Sequence, residues 1–384
     1  MRNLRERLSI IASTEKKHPI ATSTEAPLYC EEHCFSLDSL MGLDKSSFRE
    51  ILSCDPMFTG TDWQLSDLLF LDTETTGLSG GAGTYAFEIG VGIIEGGLLR
   101  VRQYVMRDYP QEKEMLLTIV ELIRTHHTLV TFNGKSFDIP LLESRMVLNG
   151  IRMRLSELPH FDLLHICRRI YRLRLKRCTL QTLENVILGV QRKDDLPGSE
   201  APERHLQYQR TGEFSLLKDV LRHNLEDVVS LAKLTGHVAA VFRTPEILTE
   251  PADLFSVSRV LERTGHIERA RKYYRILRHT TLESSARLRL ADGYKKEKDW
   301  NNTVLVCQDM IKDGQNGIWP YIEIAKYQEH VTKDYDLALS YATAGLCYLL
   351  NQLVTDEEKQ AAEILLTRKR IERLLRKQHL RRTK

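Results

Sequence analysis

Cysteine is scarce in this chain: seven among 384 residues, an odd number at irregular spacing. A disulfide framework is therefore not what organises the fold. Long apolar runs are missing as well. No stretch approaches the roughly 18 consecutive apolar residues of a membrane-spanning helix. The opening MRNLRERLSIIASTEKK has a basic start but only a brief apolar run, which argues against a signal peptide. Together these absences lead us to expect a cytoplasmic protein with no membrane association. Net charge is also small, +3 from 55 basic and 52 acidic residues. That excludes a uniformly basic nucleic-acid coat and an acidic tail protein. The balance is nevertheless a sum of opposites. Arg145–Arg177 holds nine basic and two acidic residues, Ile364–Lys384 holds nine and one, and the other 330 residues carry a net −12.

At about 150 residues per domain, the length implies two or three domains with cores that need no staples. Residues 1–64 read as an irregular lead-in with a short helix or two. Cys30, His33 and Cys34, with Cys54 beyond, faintly suggest a metal cluster, although isolated thiols explain them as well. At Asp67 the character changes. LLFLDTET (68–75) reads as a central strand, and TYAFEIGVGIIE (84–95) and LLRVRQYVMR (98–107) as a hairpin turning at Glu95-Gly96-Gly97. Helices are predicted over 111–126, from Asp138 to Gly150, over 179–188 and over 214–242, with a short strand at 128–133. Residues 161–171 read as helix or half strand, and 189–212 as a polar loop with broken helical turns. Strands leading into alternating helix and strand imply a mixed α/β domain over 65–242.

Beyond a boundary near Arg243–Asp253 the pattern is helical. Ile267, Trp300 and Tyr335 recur at spacings of 33 and 35, followed at fixed offsets by Ala270, Thr303 and Ala338 and by Tyr274, Cys307 and Ala342. Ala291 and Ala325 add a spacing of 34. This is the rhythm of helical-hairpin repeats of tetratricopeptide type, expected over 255–384. A plain helical bundle is the alternative.

Asp72 and Glu74 lie two apart on the expected central strand, so both leave the same face. Like charges placed together resist desolvation, and a divalent cation resolves both costs. Asp138 follows the predicted strand end at Asn133. Asp227 interrupts an apolar helical face, with His223 four residues earlier on the same side. Four such acids could hold two divalent ions, Mg²⁺ or Mn²⁺, that activate water and support the leaving oxygen of a phosphodiester. The glycines of 77–83 lack the Gly-Lys-Ser/Thr ending of a P-loop. Tyr85 and Phe87 either stack on a base or pack in the core, and Glu88 receives no catalytic role. Asp162 reads as a helix N-cap or an aid to positioning.

These segments resemble a known family. LFLDTETTG is similar to the first motif of the DnaQ-like, or DEDD, 3′–5′ exonucleases of the ribonuclease H fold. Asn133 with Phe137-Asp138 is similar to the second motif, and His223 with Asp227 stands at the third. The longer runs FLDTETTGLSGGAGTYAF, VTFNGKSFDIPLLESR and HNLEDVVSL resemble the bacterial YprB-like family. The resemblance implies a ribonuclease H-like domain followed by tetratricopeptide-like repeats. It also implies Asp72, Glu74, Asp138 and Asp227 as ligands of two ions, with single-stranded DNA or RNA as substrate. The third motif departs from the family: this chain has histidine at the spacing where one subclass has tyrosine. That offset rotates His223 by about 100° around the helix, so it either orients or deprotonates the attacking water, or merely bonds Asp227 or faces solvent.

Thr75, Gly77 and Asn133 are candidate substrate contacts. So are Arg168, Arg169, Arg172, Arg174, Lys176 and Arg177 of RRIYRLRLKR, which could track phosphates or form a solvated face. The C-terminal run, with leucines at 365, 366, 374 and 375, is expected as an amphipathic helix over the last repeat. The repeats would bind a protein partner or extend the nucleic-acid path. Two rival readings remain at this point: a weakly active or inactive scaffold, and an endonuclease on structured duplexes.

Overall fold

The computed structural model describes residues 27–40, 49, 63–77, 83–352 and 356–382. Cys54 and most of the glycine-rich loop lie outside them. The chain forms two compact units. One comprises Ser66–Asp162 and Arg192–Ala232 with the described residues up to Leu37. The other comprises Leu163–Gln191 and the chain from Lys233 onward, with the described residues among Asp38–Leu65. Residues 163–191 thus group with the C-terminal helices, whereas the sequence-based division kept them in the α/β domain.

The first unit is built on a six-stranded sheet of order β1-β4-β3-β2-β5-β6. Its strands are β1 (Tyr29–Ser36), β2 (Leu68–Thr75), β3 (Ala86–Glu95), β4 (Leu98–Val105), β5 (Thr128–Thr131) and β6 (His160–Asp162). The first three pairings from β1 to β2 are antiparallel; β2–β5 and β5–β6 are parallel. The mixed α/β expectation therefore holds, and the β3–β4 hairpin turns through Gly96 and Gly97 at φ 58° and 78°, where a side chain is strained.

Helices α1 (Glu112–Thr125) and α2 (Asp138–Leu148) cover one sheet face. Helices α3 (Leu163–Tyr171) and α4 (Leu180–Leu183) belong to the second unit, and α5 (Ala201–Thr211) and the start of α6 (Lys218–Arg243) to the first. On β2, Leu69 and Leu71 join Met115, Ile119 and Ile123 of α1 and Ile139, Leu142 and Met146 of α2 in one buried cluster. The alternate residues, Phe70, Asp72 and Glu74, face α6. Their cross-strand partners explain how α6 comes so close: Phe70 pairs with Gly92 and Asp72 with Gly90. A Cβ at Gly92 would lie 2.9 Å from Val228, and one at Gly90 only 2.0 Å from Asn224 Oδ1.

Two sequence expectations are corrected here. Tyr29–Ser36 is a strand, not irregular lead-in. It pairs with β4 along its length and is anchored by Glu32 to Arg100 at 2.9 Å and Arg102 at 2.6 Å. Its alternation was invisible because its apolar residues are few. Ala201–Thr211 is a helix rather than a loop: Ala201, His205 and Tyr208 form a buried stripe within polar text, and Gly212 closes it in the left-handed region. The His205 ring stacks on Phe87 at 4.0 Å between centroids. Phe87 is thus core. Residues 161–171 split into β6 and α3.

The second unit is helical. It continues through α7 (Pro251–Arg263), α8 (Ile267–Ile276), α9 (Glu283–Lys296), α10 (Trp300–Lys312), α11 (Trp319–Tyr327), α12 (Tyr335–Leu350) and α13 (Glu357–Arg382), each packed on its neighbours. The recurring Ile267, Trp300 and Tyr335 are the first residues of α8, α10 and α12. The positions three and seven later are all buried, as are Ala291 and Ala325. Asp299 and Asp334 cap α10 and α12 by accepting from Asn302 and Leu337 N–H.

The C-terminal helix attaches differently from expectation. Of the leucines read as its apolar face, only Leu374 is buried; Leu365, Leu366 and Leu375 are exposed. Charge makes the contact instead. A π-helical turn, Gln328–Thr332, follows α11 and carries Glu329, which is 0% exposed. Arg370, Arg373 and Lys377 of α13 each place a nitrogen 2.8 Å from its carboxylate. Burial alone would raise the pKa of Glu329, but the Arg373 and Lys377 hydrogen bonds outweigh it and hold it at about 2.

Candidate active site

Asp72 and Glu74 project from β2 toward α6, where the Gly90 gap admits Asn224. The Asn224 Nδ2 donates to Asp72 Oδ2 at 2.9 Å. Behind it, Gln103 Nε2 lies 2.8 Å from Glu88 Oε1, 2.7 Å from the Leu221 carbonyl and 3.1 Å from Asn224 Oδ1. The amide pair thus links the site to the strand behind it.

Asp138 opens α2 beyond the end of β5. Thr73, on the α2 face of β2, donates to Asp138 Oδ1 at 2.5 Å. Asp162, at the end of β6 and 4% exposed, accepts the Asn133 N–H at 2.8 Å and the Lys135 N–H at 3.1 Å. It therefore ties down the loop leading to Asp138. Asn133 there has φ 67°, a left-handed conformation that asparagine tolerates. Its backbone, rather than its side chain, is the part this bond fixes.

Asp227 and His223 stand one turn apart on α6, as expected from their spacing. His223 Nε2 lies 3.8 Å from Asp227 Oδ2 and 4.0 Å from Glu74 Oε1. Its Nδ1 is 2.8 Å from Asp195 Oδ1. A guanidinium also reaches in. Arg192, 7% exposed, donates from Nη2 to Asp227 Oδ1 at 2.5 Å, with Nη1 3.3 Å from Asp195 and Nε 3.5 Å from Glu226.

The four acids feel one another. Burial pushes the Asp72 carboxyl well above its ordinary range, and the charges of Asp227, Asp138 and Glu74 push it further. Glu74 is raised likewise by burial, then by Glu88 and Asp227. Asp138 is raised to about 6 by burial, against the Thr73 hydrogen bond. Glu88, opposite Glu74 on β3 and 1% exposed, is raised by burial to about 8.

Four hard-oxygen donors that mutually disfavour their charges match a divalent cation in kind. Their arrangement matches less well: among the described residues no three Asp, Glu, His or Cys side chains gather closely enough to hold an ion as they stand. Thr73, Asn224 and Arg192 each hold one of the acids. The same finding answers the Cys30–His33–Cys34 expectation. On β1, Cys30 and Cys34 are exposed on one face and His33 points to the other, so both cysteines are free thiols.

Of the remaining predicted residues, Thr75 ends β2 and donates to the Gly77 carbonyl at 2.9 Å. A Cβ at Gly77 would meet Thr84 Oγ1 at 3.3 Å. Tyr85 is half-buried, with its ring edge-on to Tyr109. Arg168, Arg169, Arg172, Lys176 and Arg177 are exposed. Arg174 is not free with them, because its Nε and Nη2 hold Asp253 Oδ2 at 2.9 and 2.6 Å. Sequence reasoning missed Thr73, Arg192, Asp195 and Asn224. Asn224 adjoins His223 and was within reach; Arg192 and Asp195 sit in a polar loop that gives no periodic signal.

Residues 69–239 match the RNase H superfamily, whose fold is that of nucleases. The chain is 34% identical over 290 residues to a protein of Bacillus subtilis (strain 168) described as "Uncharacterized protein YprB", covering 73% of this chain and 69% of that one. The chain therefore belongs to the YprB family. It is also similar to the family B DNA polymerase of the hyperthermophilic archaeon Pyrobaculum calidifontis, at 15% identity and a TM-score of 0.35. That match covers 52% of this chain and 29% of the polymerase. Among the described residues, no helix is long and apolar enough to cross a membrane.

Proposed function

We propose that the chain is a divalent-metal-dependent nuclease, a 3′–5′ exonuclease of single-stranded DNA or RNA in the cytoplasm. The observation that carries this reading is the meeting of Asp72, Glu74, Asp138 and Asp227, from three separate elements, where Asp72, Glu74 and Asp138 are each held above the ordinary carboxylate range. These four would hold two ions, Mg²⁺ or Mn²⁺, which when bound supply charge neutralisation and polarisation of the phosphodiester.

The protein's own residues have separate tasks. Asn224 fixes Asp72, and Asp162 fixes the loop before Asp138. Asp195 orients His223, whose Nε2 faces the acids and takes a proton from attacking water. The exposed Arg168, Arg169, Arg172, Lys176 and Arg177 supply sequence-independent phosphate contacts. The paired helices of the second unit, read as tetratricopeptide-like repeats, present a surface for a protein partner.

The hold of Arg192 on Asp227 favours a second reading, a scaffold with a weak or inactive centre. Digestion of 3′- and 5′-end-labelled single strands with Mg²⁺ or Mn²⁺, beside the Asp72→Asn variant, separates them. Metal-dependent shortening from the 3′ end, lost in the variant, is expected. No cleavage with either ion would favour the scaffold, and cutting of circular strands would show an endonuclease.

A further inference from the structure

Arg192 stands where a nuclease of the proposed kind would want a cation. Its side chain is 7% exposed and donates to Asp227 Oδ1 at 2.5 Å. The same loop supplies Asp195, whose Oδ1 is 2.8 Å from His223 Nδ1. Residues 192–195 thus hold both functional side chains of one α6 turn. The acids meanwhile lack a three-ligand arrangement among the described residues.

We propose that Arg192 is an internal substitute cation for Asp227, which a divalent ion must displace before that carboxylate can join a metal site. This rests on the metal-dependent reading above and adds a competitor to it. A guanidinium and a divalent ion on one carboxylate repel each other. In a site this buried the repulsion is poorly screened. An ion that takes Asp227 therefore pushes Arg192 away, and the loop from 192 loses one anchor. Metal occupancy and loosening of the Arg192 end of the loop become one event, while Asp195 stays on His223.

The test is Mn²⁺ titration of the full chain, with free Mn²⁺ followed by electron paramagnetic resonance. Arg192→Ala and Arg192→Gln should each bind Mn²⁺ about tenfold more tightly than the unaltered protein, because a buried competing charge is gone. Arg154→Ala removes an equal charge from an exposed site paired with Glu157, and should leave the affinity within about threefold. Equal affinity in the Arg192 variants and the unaltered protein overturns the competition but leaves the metal centre standing. Mn²⁺ binding that survives Asp72→Asn, or is absent from every form, removes the metal centre and the competition with it.

A second measurement needs no variant. In the unaltered protein, backbone hydrogen exchange over 192–197 should speed up when Mn²⁺ binds. Unchanged or slower exchange with Mn²⁺ bound overturns the proposal.

Discussion

Two buried carboxylate centres in this molecule are near mirror images. In the sheet unit, Asp72, Glu74, Asp138 and Asp227 meet with Arg192 set against Asp227. In the helical unit, Glu329 meets Arg370, Arg373 and Lys377. In the first, burial and neighbouring acids push the carboxyls of Asp72, Glu74 and Asp138 up. The second is oversupplied with cations, and its carboxyl is held at about 2. Burial is common to both, so burial alone does not tell the proposed catalytic centre from a structural one. Charge balance does. An acid group left unmatched retains a demand for something from solution, while an acid matched by its own chain has met that demand by folding.

The comparison breaks most visibly on the sheet side. Asp72→Asn should reduce metal-dependent cleavage by about a thousandfold or more, as loss of one element of a pre-organised electrostatic site does, while circular dichroism shows the fold retained. On the helical side, Glu329→Gln should leave chemistry per folded molecule alone and cost about 3 kcal/mol in urea unfolding. That is the low end for breaking a buried ion pair, since Arg373 is half-exposed and can rehydrate.

The two centres should also answer pH in opposite directions. Glu88 has a folded pKa of about 8, above its ordinary value. Its contribution to stability is complete below the usual carboxylate range and is lost as pH rises through about 8. Glu329 has a depressed pKa, so its contribution is present above that range and is lost as pH falls through about 2. Glu88→Gln should raise the melting temperature at pH 9 by about 3 °C or more and change it little at pH 5. Equal effects at both pH values would remove titration of Glu88 as the cause. The smallest effect is expected at the exposed basic residues: Arg168→Ala with Arg169→Ala should weaken single-strand binding only severalfold and flatten its salt dependence by about one to two phosphate contacts.

Much of the sheet unit was legible because its strands carry their signals locally. LLFLDTET matched β2, and the Glu95-Gly96-Gly97 turn placed the hairpin. The four acids were legible as types at rule-bound spacings. Their supports were not. Thr73 meets Asp138 across 65 residues and Asn224 meets Asp72 across 152, and nothing local announces such pairings. The strand at Tyr29–Ser36 is sustained by β4 rather than by its own composition, and the α5 stripe of Ala201, His205 and Tyr208 is too small and polar to read as a core. In the helical unit the recurring Ile267, Trp300 and Tyr335 prove to open three helices, yet the leucines of α13 misled, because its docking is carried by charge.

Gly90 gives the site a lineage constraint of its own. The acids lie on β2, but the room for the amide that steadies Asp72 is an absence on β3, where a Cβ would stand 2.0 Å from Asn224 Oδ1. A copy of the acidic motif carried onto another sheet would therefore be incomplete. What has to be inherited with Asp72 is a position across the ladder that has no side chain at all.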